Sequence, residues 1–182
     1  MSIESLNSLV GLATLGMQIG AILLFGLYLL RTKLALSGLV RFFQHYGLLL
    51  AFLFTLASIV MSLVYSEYFG IVPCGLCWLQ RVFLYPQAVL FAIALWKKET
   101  TVALYSIALS LLGAGVSLYQ HYLQMGGASI LPCPASGVSD CVKRFLFEFG
   151  YITFPLVAFS AFALLMVIML FVRLEPRGNV VQ

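Results

Sequence analysis

Pro73-Cys74-Gly75-Leu76-Cys77-Trp78-Leu79-Gln80-Arg81 opens a run that stays uncharged from Val82 to Trp96 and stops at Lys97-Lys98-Glu99. The length of that run decides the fold. Fifteen uncharged residues at 1.5 Å each reach roughly 22 Å, short of the roughly 30 Å of a bilayer's hydrocarbon core. A spanning helix must therefore begin near Cys77 and carry Arg81 one turn in. Two cysteines, two residues apart, then sit at a helix start at the membrane edge.

Four other apolar runs surround this one. They cover about Ser8 to Leu30, about Tyr46 to Ser66, about Thr101 to Tyr122, and about Phe149 to Val172 before Arg173. Each approaches or exceeds the roughly 20 residues a spanning helix needs. Composition agrees. The chain is 63% hydrophobic and 9% charged, with a mean hydropathy of +1.07, whereas soluble domains carry roughly 25% charged residues. So few charges cannot clothe a water-soluble surface. The expected class is all-α, a polytopic membrane helix bundle. A four-helix core with two cysteine loops occupies 46–172, one additional N-terminal transmembrane helix and its loop occupy 1–45, and 173–182 form a tail. The first run does not read as a cleaved signal peptide, because its leader carries Glu4 and no cation and the apolar stretch is too long. The net charge of +4 is scattered between apolar blocks, which is not a nucleic-acid footprint.

Lys and Arg in short loops orient membrane helices. With five spans, Arg31, Lys33, Arg41, Lys97, Lys98, Arg173 and Arg177 share one side, and Lys143, Arg144 and Arg81 the other, seven against three. The first side is expected to be cytoplasmic. Residues 67–77 and 123–148 are then outer loops, and Cys74, Cys77, Cys133 and Cys141 lie in them or at their edges. In bacteria that side is oxidising, where disulfides persist.

The two cysteine pairs differ in setting. Cys74 and Cys77 can close a small ring at a helix start, where the helix dipole favours an anionic sulfur. A thiolate both attacks and leaves well in disulfide exchange. Arg81 is i+4 from Cys77 on the same face, so its guanidinium can serve that sulfur or a carbonyl at the membrane surface. It can equally be an interfacial arginine that snorkels. Cys133 and Cys141 lie in a loop rich in Pro, Gly and Ser, residues 131–141. A disulfide closing such a short exposed loop is the labile kind. Other readings of the four cysteines stay open: a structural zinc site, against which the wide second spacing and the oxidising side argue, static structural disulfides, and core packing. No metal site is expected. His121, near the outer end of the fourth span, can hydrogen-bond a ligand carbonyl or simply belong to an interfacial belt, as Tyr65, Tyr68, Trp78 and Trp96 do most simply. Residues 143–149, with Lys143 and Arg144 among aromatics, suit an outer surface segment that holds the loop pair near Cys74.

Cys77 with its partner and Arg81, read as Cys-x-x-Cys-x-x-x-Arg at the start of a spanning helix, resembles the signature of the disulfide bond formation protein B family (DsbB, with BdbC-type relatives). Tyr119-Gln120-His121-Tyr122 and Phe149-Gly150-Tyr151-Ile152-Thr153-Phe154-Pro155 are similar to two further stretches of it. The resemblance covers about residues 46–172. In the vitamin K epoxide reductase family the loop pair comes first, whereas here the membrane-edge pair does. The resemblance implies a four-helix bundle, a bound quinone (ubiquinone or menaquinone) and a thioredoxin-like extracytoplasmic dithiol partner, at a bacterial cytoplasmic membrane. It makes Cys74 and Cys77 the quinone-coupled pair, with Cys77 against the ring, Arg81 holding and polarising the quinone, and Cys133 and Cys141 the pair that meets the partner. Two departures stand out: the extra first helix, and the close spacing of the loop pair. A vitamin K epoxide reductase-like enzyme and a non-enzymatic scaffold with structural disulfides are the alternative readings.

Overall fold

The structure is a computed structural model that describes residues 2–31, 37–128 and 141–174. Lys33, Cys133 and Arg177 lie outside the described residues. The elements are α1 (Ile3–Leu30), α2 (Ser37–Leu63), a π-helical turn that continues it (Val64–Tyr68), α3 (Gly75–Lys97), α4 (Val102–Gln124) and α5 (Phe154–Val172). All five α-helices are long and apolar enough to cross a membrane. The expected five-span helical bundle is therefore the fold that forms. Among the described residues the only strand-like pairing is a single bridge between Glu148 and Ile152.

Local chemistry sets the helix ends. The Ser2 hydroxyl accepts from the Ser5 backbone N–H at 3.3 Å and caps α1. Cys74 occupies the N-cap of α3 with extended backbone angles, so the helix starts just ahead of Cys77. Lys98, with φ 55°, ends α3 in the left-handed conformation. The last helix starts at Phe154, five residues later than the apolar run suggested. Phe149 (φ 52°) and Gly150 (φ 77°) form a tight turn closed by Ile152 donating to the Glu148 carbonyl at 2.9 Å. Positive φ interrupts a helix however apolar the side chains are.

α5 is the hub. It packs along α1, α2 and α4 and touches α3, and its most apolar window is 61% buried, against 39% or less for the other spans. Lipid tails are as apolar as leucine, so close fit and hydrogen bonds hold membrane helices together. α4 meets that need with a buried face of Ser106, Ser110, Gly113 and Ser117. A Cβ on Gly113 would collide with the Phe162 ring of α5. Gln87, fully buried, ties α3 to α4: Ser106 Oγ donates to its Oε1 at 2.6 Å, and its Nε2 donates to Ser110 Oγ at 3.2 Å. Its Nε2 also donates to the Phe83 carbonyl at 2.9 Å, next to Pro86 inside the helix.

Candidate dithiol site at the cysteine end of the bundle

The α3 N-terminus builds the centre. Cys74 at the N-cap and Cys77 in the first turn face each other with 3.3 Å between sulfurs. The Cys74 carbonyl accepts the Trp78 N–H at 3.0 Å, which fixes the turn. Cys74 is buried. Donation to the Cys77 sulfur pushes its pKa far above the usual thiol value, and burial adds to this. The Cys141 thiol also lies close enough to Cys74 to push in the same direction.

The side chain that grips both sulfurs comes from α4. Gln120 Nε2 donates to Cys74 Sγ at 3.2 Å and to Cys77 Sγ at 3.3 Å. Its Oε1 accepts from Gln80 Nε2 of α3 at 2.8 Å. In this arrangement the Gln120 oxygen faces Gln80 and its NH2 faces the two sulfurs. Both glutamines are buried. Sequence reasoning singled out His121 in this stretch, and the structure turns it elsewhere. His121 Nδ1 pairs with Thr153 Oγ1 at 2.9 Å, and His121 is not among the residues lining the cavity described below. Successive helical residues point about 100° apart, so Gln120 faces the sulfurs when His121 faces α5. The usable signal was burial cost: a glutamine inside an apolar span demands a partner.

Arg81 does line the cavity, one turn below Cys77. Its Nε donates to Ser62 Oγ and its Nη2 to the Ser62 carbonyl, both at 3.0 Å. Its guanidinium also lies 5.2 Å from the Trp78 ring centroid. It therefore reaches across to α2 just before the π turn instead of extending along the surface. π turns shift the hydrogen-bond register of a helix and recur at functional sites.

The loop cysteine Cys141 is brought to the same place. It is buried, and Gln124 Nε2 holds the strand around it by donating to the carbonyls of Cys141 at 3.3 Å and Lys143 at 3.1 Å. Lys143 and Arg144 lie over the Phe145 and Phe147 rings, at 4.9 and 4.7 Å, and Gln124 of α4 and Asn7 of α1 donate to the Lys143 and Phe145 carbonyls, which holds the segment against these helix ends. Cys133 lies outside the described residues.

Beside Cys74 and Cys77 is a cavity of about 440 Å³. Its walls are mostly apolar residues from α1, α2 and α5; Gln80, Arg81, Gln120, Gln124 and Lys143 line it near the cysteines, and Ser58, Ser62, Tyr65 and Ser66 line it along α2 and the π turn. Gln124 Oε1 is buried there with no hydrogen-bond partner among the described residues. Ligand cavities commonly measure roughly 300–1,000 Å³, with few polar groups set in apolar walls.

The profile of the disulfide bond formation protein DsbB family matches residues 44–172. The chain belongs to that family. It is similar to the Disulfide bond formation protein C of Bacillus subtilis, 36% identical over 123 residues, covering 66% of this chain and 87% of that protein. It is 31% identical to the Probable disulfide formation protein C 2 of Bacillus anthracis over 136 residues, covering 75% and 96%. A Probable disulfide formation protein of Chlamydia trachomatis is 34% identical over 125 residues, covering 68% and 90%. No solved structure matches the chain. This DsbB-family member is a multi-pass membrane protein with five spans, and α1 precedes the residues the family profile matches.

Proposed function

We propose that this DsbB-family protein oxidises the dithiol of a thioredoxin-like partner and delivers the two electrons to a membrane quinone, ubiquinone or menaquinone. The observation that carries the reading is the placement of the Cys74–Cys77 pair: it sits on an apolar cavity that Arg81 and Gln124 also line, and the loop cysteine Cys141 is buried at the same end of the bundle with its carbonyl held by Gln124. A quinone fits that cavity chemically. Its walls suit a flat apolar ring and a prenyl tail, Arg81 and Gln80 supply donors for ring carbonyls, and the unpartnered Gln124 Oε1 supplies an acceptor for a hydroxyl. Held there by Arg81, Gln80 and Gln124, a quinone would supply the sink for two electrons and two protons from the dithiol.

The chain's own part is disulfide exchange. The partner's thiolate attacks the Cys133–Cys141 disulfide, at Cys133 by family resemblance, and the mixed disulfide resolves as the partner's second thiol leaves it oxidised. The loop dithiol then attacks the Cys74–Cys77 disulfide. Attack by Cys141 on Cys74 expels Cys77 as thiolate, and Gln120 Nε2 is positioned to stabilise that leaving sulfur. Closing the Cys133–Cys141 bond completes the transfer and leaves Cys74 and Cys77 as a dithiol, ready to give up two electrons and two protons. The proposed orientation puts the cysteine end on the extracytoplasmic side of a bacterial cytoplasmic membrane.

The test is a cysteine series in the full-length protein. Loss of Cys133 and Cys141 together is expected to stop partner oxidation while a small dithiol still drives quinone reduction. Loss of Cys77 is expected to stop both. Quinone reduction surviving without Cys77 would sink the series arrangement.

A further inference from the structure

We infer that the gap between α1 and α2, floored by α5, is the side entrance through which a membrane-dissolved prenylquinone reaches the dithiol, and that Ala13 on α1 sets its width. This rests on the quinone reading above. Both α1 and α2 pack along α5, yet among the described residues their Cα atoms stay more than 8 Å apart. The cavity occupies the space between them. Leu9, Ala13 and Met17 wall it on α1, and Phe54, Ala57 and Met61 on α2. Leu9 to Met17 covers roughly 12 Å of helix, and every one of these six side chains is apolar. Ser58 lines the same wall on α2 and returns its hydroxyl to the Phe54 carbonyl at 2.9 Å, so the slot can continue into lipid.

The slot is shut toward the cysteine end. The Tyr65 hydroxyl donates to Asn7 Oδ1 at 2.9 Å, which bridges the π turn to α1. Asn7 Nδ2 in turn donates to the Phe145 carbonyl at 3.4 Å. The Tyr65 ring is buried edge-on against Phe154 at 4.6 Å. A hydrophobic molecule therefore meets an opening at bilayer depth, while the aqueous end is latched. α1 is registered on its floor by Gln18, whose Nε2 donates to Ser160 Oγ at 3.1 Å and whose Oε1 accepts from the Tyr151 hydroxyl at 2.9 Å. The wall is thus fixed at both heights. It is supplied by chain that precedes the residues matched by the family profile.

The experiment uses the full-length protein in nanodiscs, in a Trp96→Phe background that leaves Trp78 as the sole tryptophan. Binding of a prenylated quinone is read by quenching of Trp78, and KM and kcat are read separately with a small dithiol as reductant. Ala13→Phe is expected to weaken binding and raise KM about ten- to hundredfold, the range that overpacking a fitted site produces. A quinone without a tail should lose less. Met17→Ala added to Ala13→Phe is expected to restore part of the binding. Ile19→Phe alters α1 at a 58% exposed position outside the cavity lining and should stay within about twofold of the parent. If Ala13→Phe binds the prenylated quinone like the parent, or Ile19→Phe loses as much, the entrance is elsewhere. If the parent protein neither binds nor reduces quinone, the quinone reading fails and this inference fails with it.

Discussion

Replacing Gln120 tests the site most directly, because one amide touches both sulfurs. Gln120→Glu keeps the shape and the acceptor for Gln80 but removes the N–H groups that reach Cys74 and Cys77 at 3.2 and 3.3 Å. Hydrogen bonds to a charged or developing anionic group contribute about 1.5–3 kcal/mol. These bonds favour the dithiol and thiolate forms over the disulfide, whose sulfurs are poor acceptors. Their loss destabilises the reduced state, so the potential of the Cys74–Cys77 couple should fall. For a two-electron couple about 30 mV corresponds to 1.4 kcal/mol, which places the drop at about 30–60 mV. A new carboxylate beside a thiolate pushes further the same way. Gln80→Leu leaves the Gln120 oxygen without its donor and frees the amide to turn, so a smaller drop is expected. The assay is a redox titration in thiol buffers of protein lacking Cys133 and Cys141, followed by alkylation of Cys74 and Cys77. A potential for Gln120→Glu equal to that of the parent would refute the assignment, because a merely structural glutamine would alter stability and leave the potential alone.

Arg81→Ala is expected to raise KM for quinone and also to weaken the α2–α3 tie, since its two bonds to Ser62 disappear. Arg81→Lys should recover only part, because an ammonium lacks the planar fork, and steady-state kinetics beside a thermal melt separates the two effects. An unchanged KM would leave Arg81 as a tie alone. Gly113→Val should lower stability by about 1–3 kcal/mol through overpacking against Phe162, measured by unfolding in detergent, and a parent-like variant would mean that α4 and α5 do not approach so closely. In protein otherwise free of cysteine, Glu67→Cys should react with an impermeant maleimide in intact cells and Glu99→Cys only after lysis. The reverse pattern would invert the proposed orientation.

The run from Arg81 to Lys97 and its four apolar companions were enough to read five spans and to put Cys77 at a helix start, because bilayer thickness converts apolar length directly into element count. The Cys-x-x-Cys pair and Arg81 were legible for the same reason: their spacing is within one helix, and helical geometry is local. The start of α5 was not, since the turn at Phe149–Gly150 depends on backbone angles that an apolar pattern does not encode.

What needed the tertiary structure was every relation between helices. Gln120 meets the sulfurs from forty-odd residues away, and its neighbour His121 points to Thr153 instead. The spacing of small and polar residues marks one face of α4 as buried, but not which helix that face meets. Packing fixes it, through Gly113 seated on Phe162 and Gln87 bonded to Ser106 and Ser110. Arg81 is likewise given its partner by α2, and the gap beside α1 exists because α1 and α2 both pack on α5 while their backbones stay apart. Sequence determined how many helices cross and where the chemistry-bearing residues enter them. Close packing around α5, in a solvent that offers no competing hydrogen bonds, decided which of those residues meet.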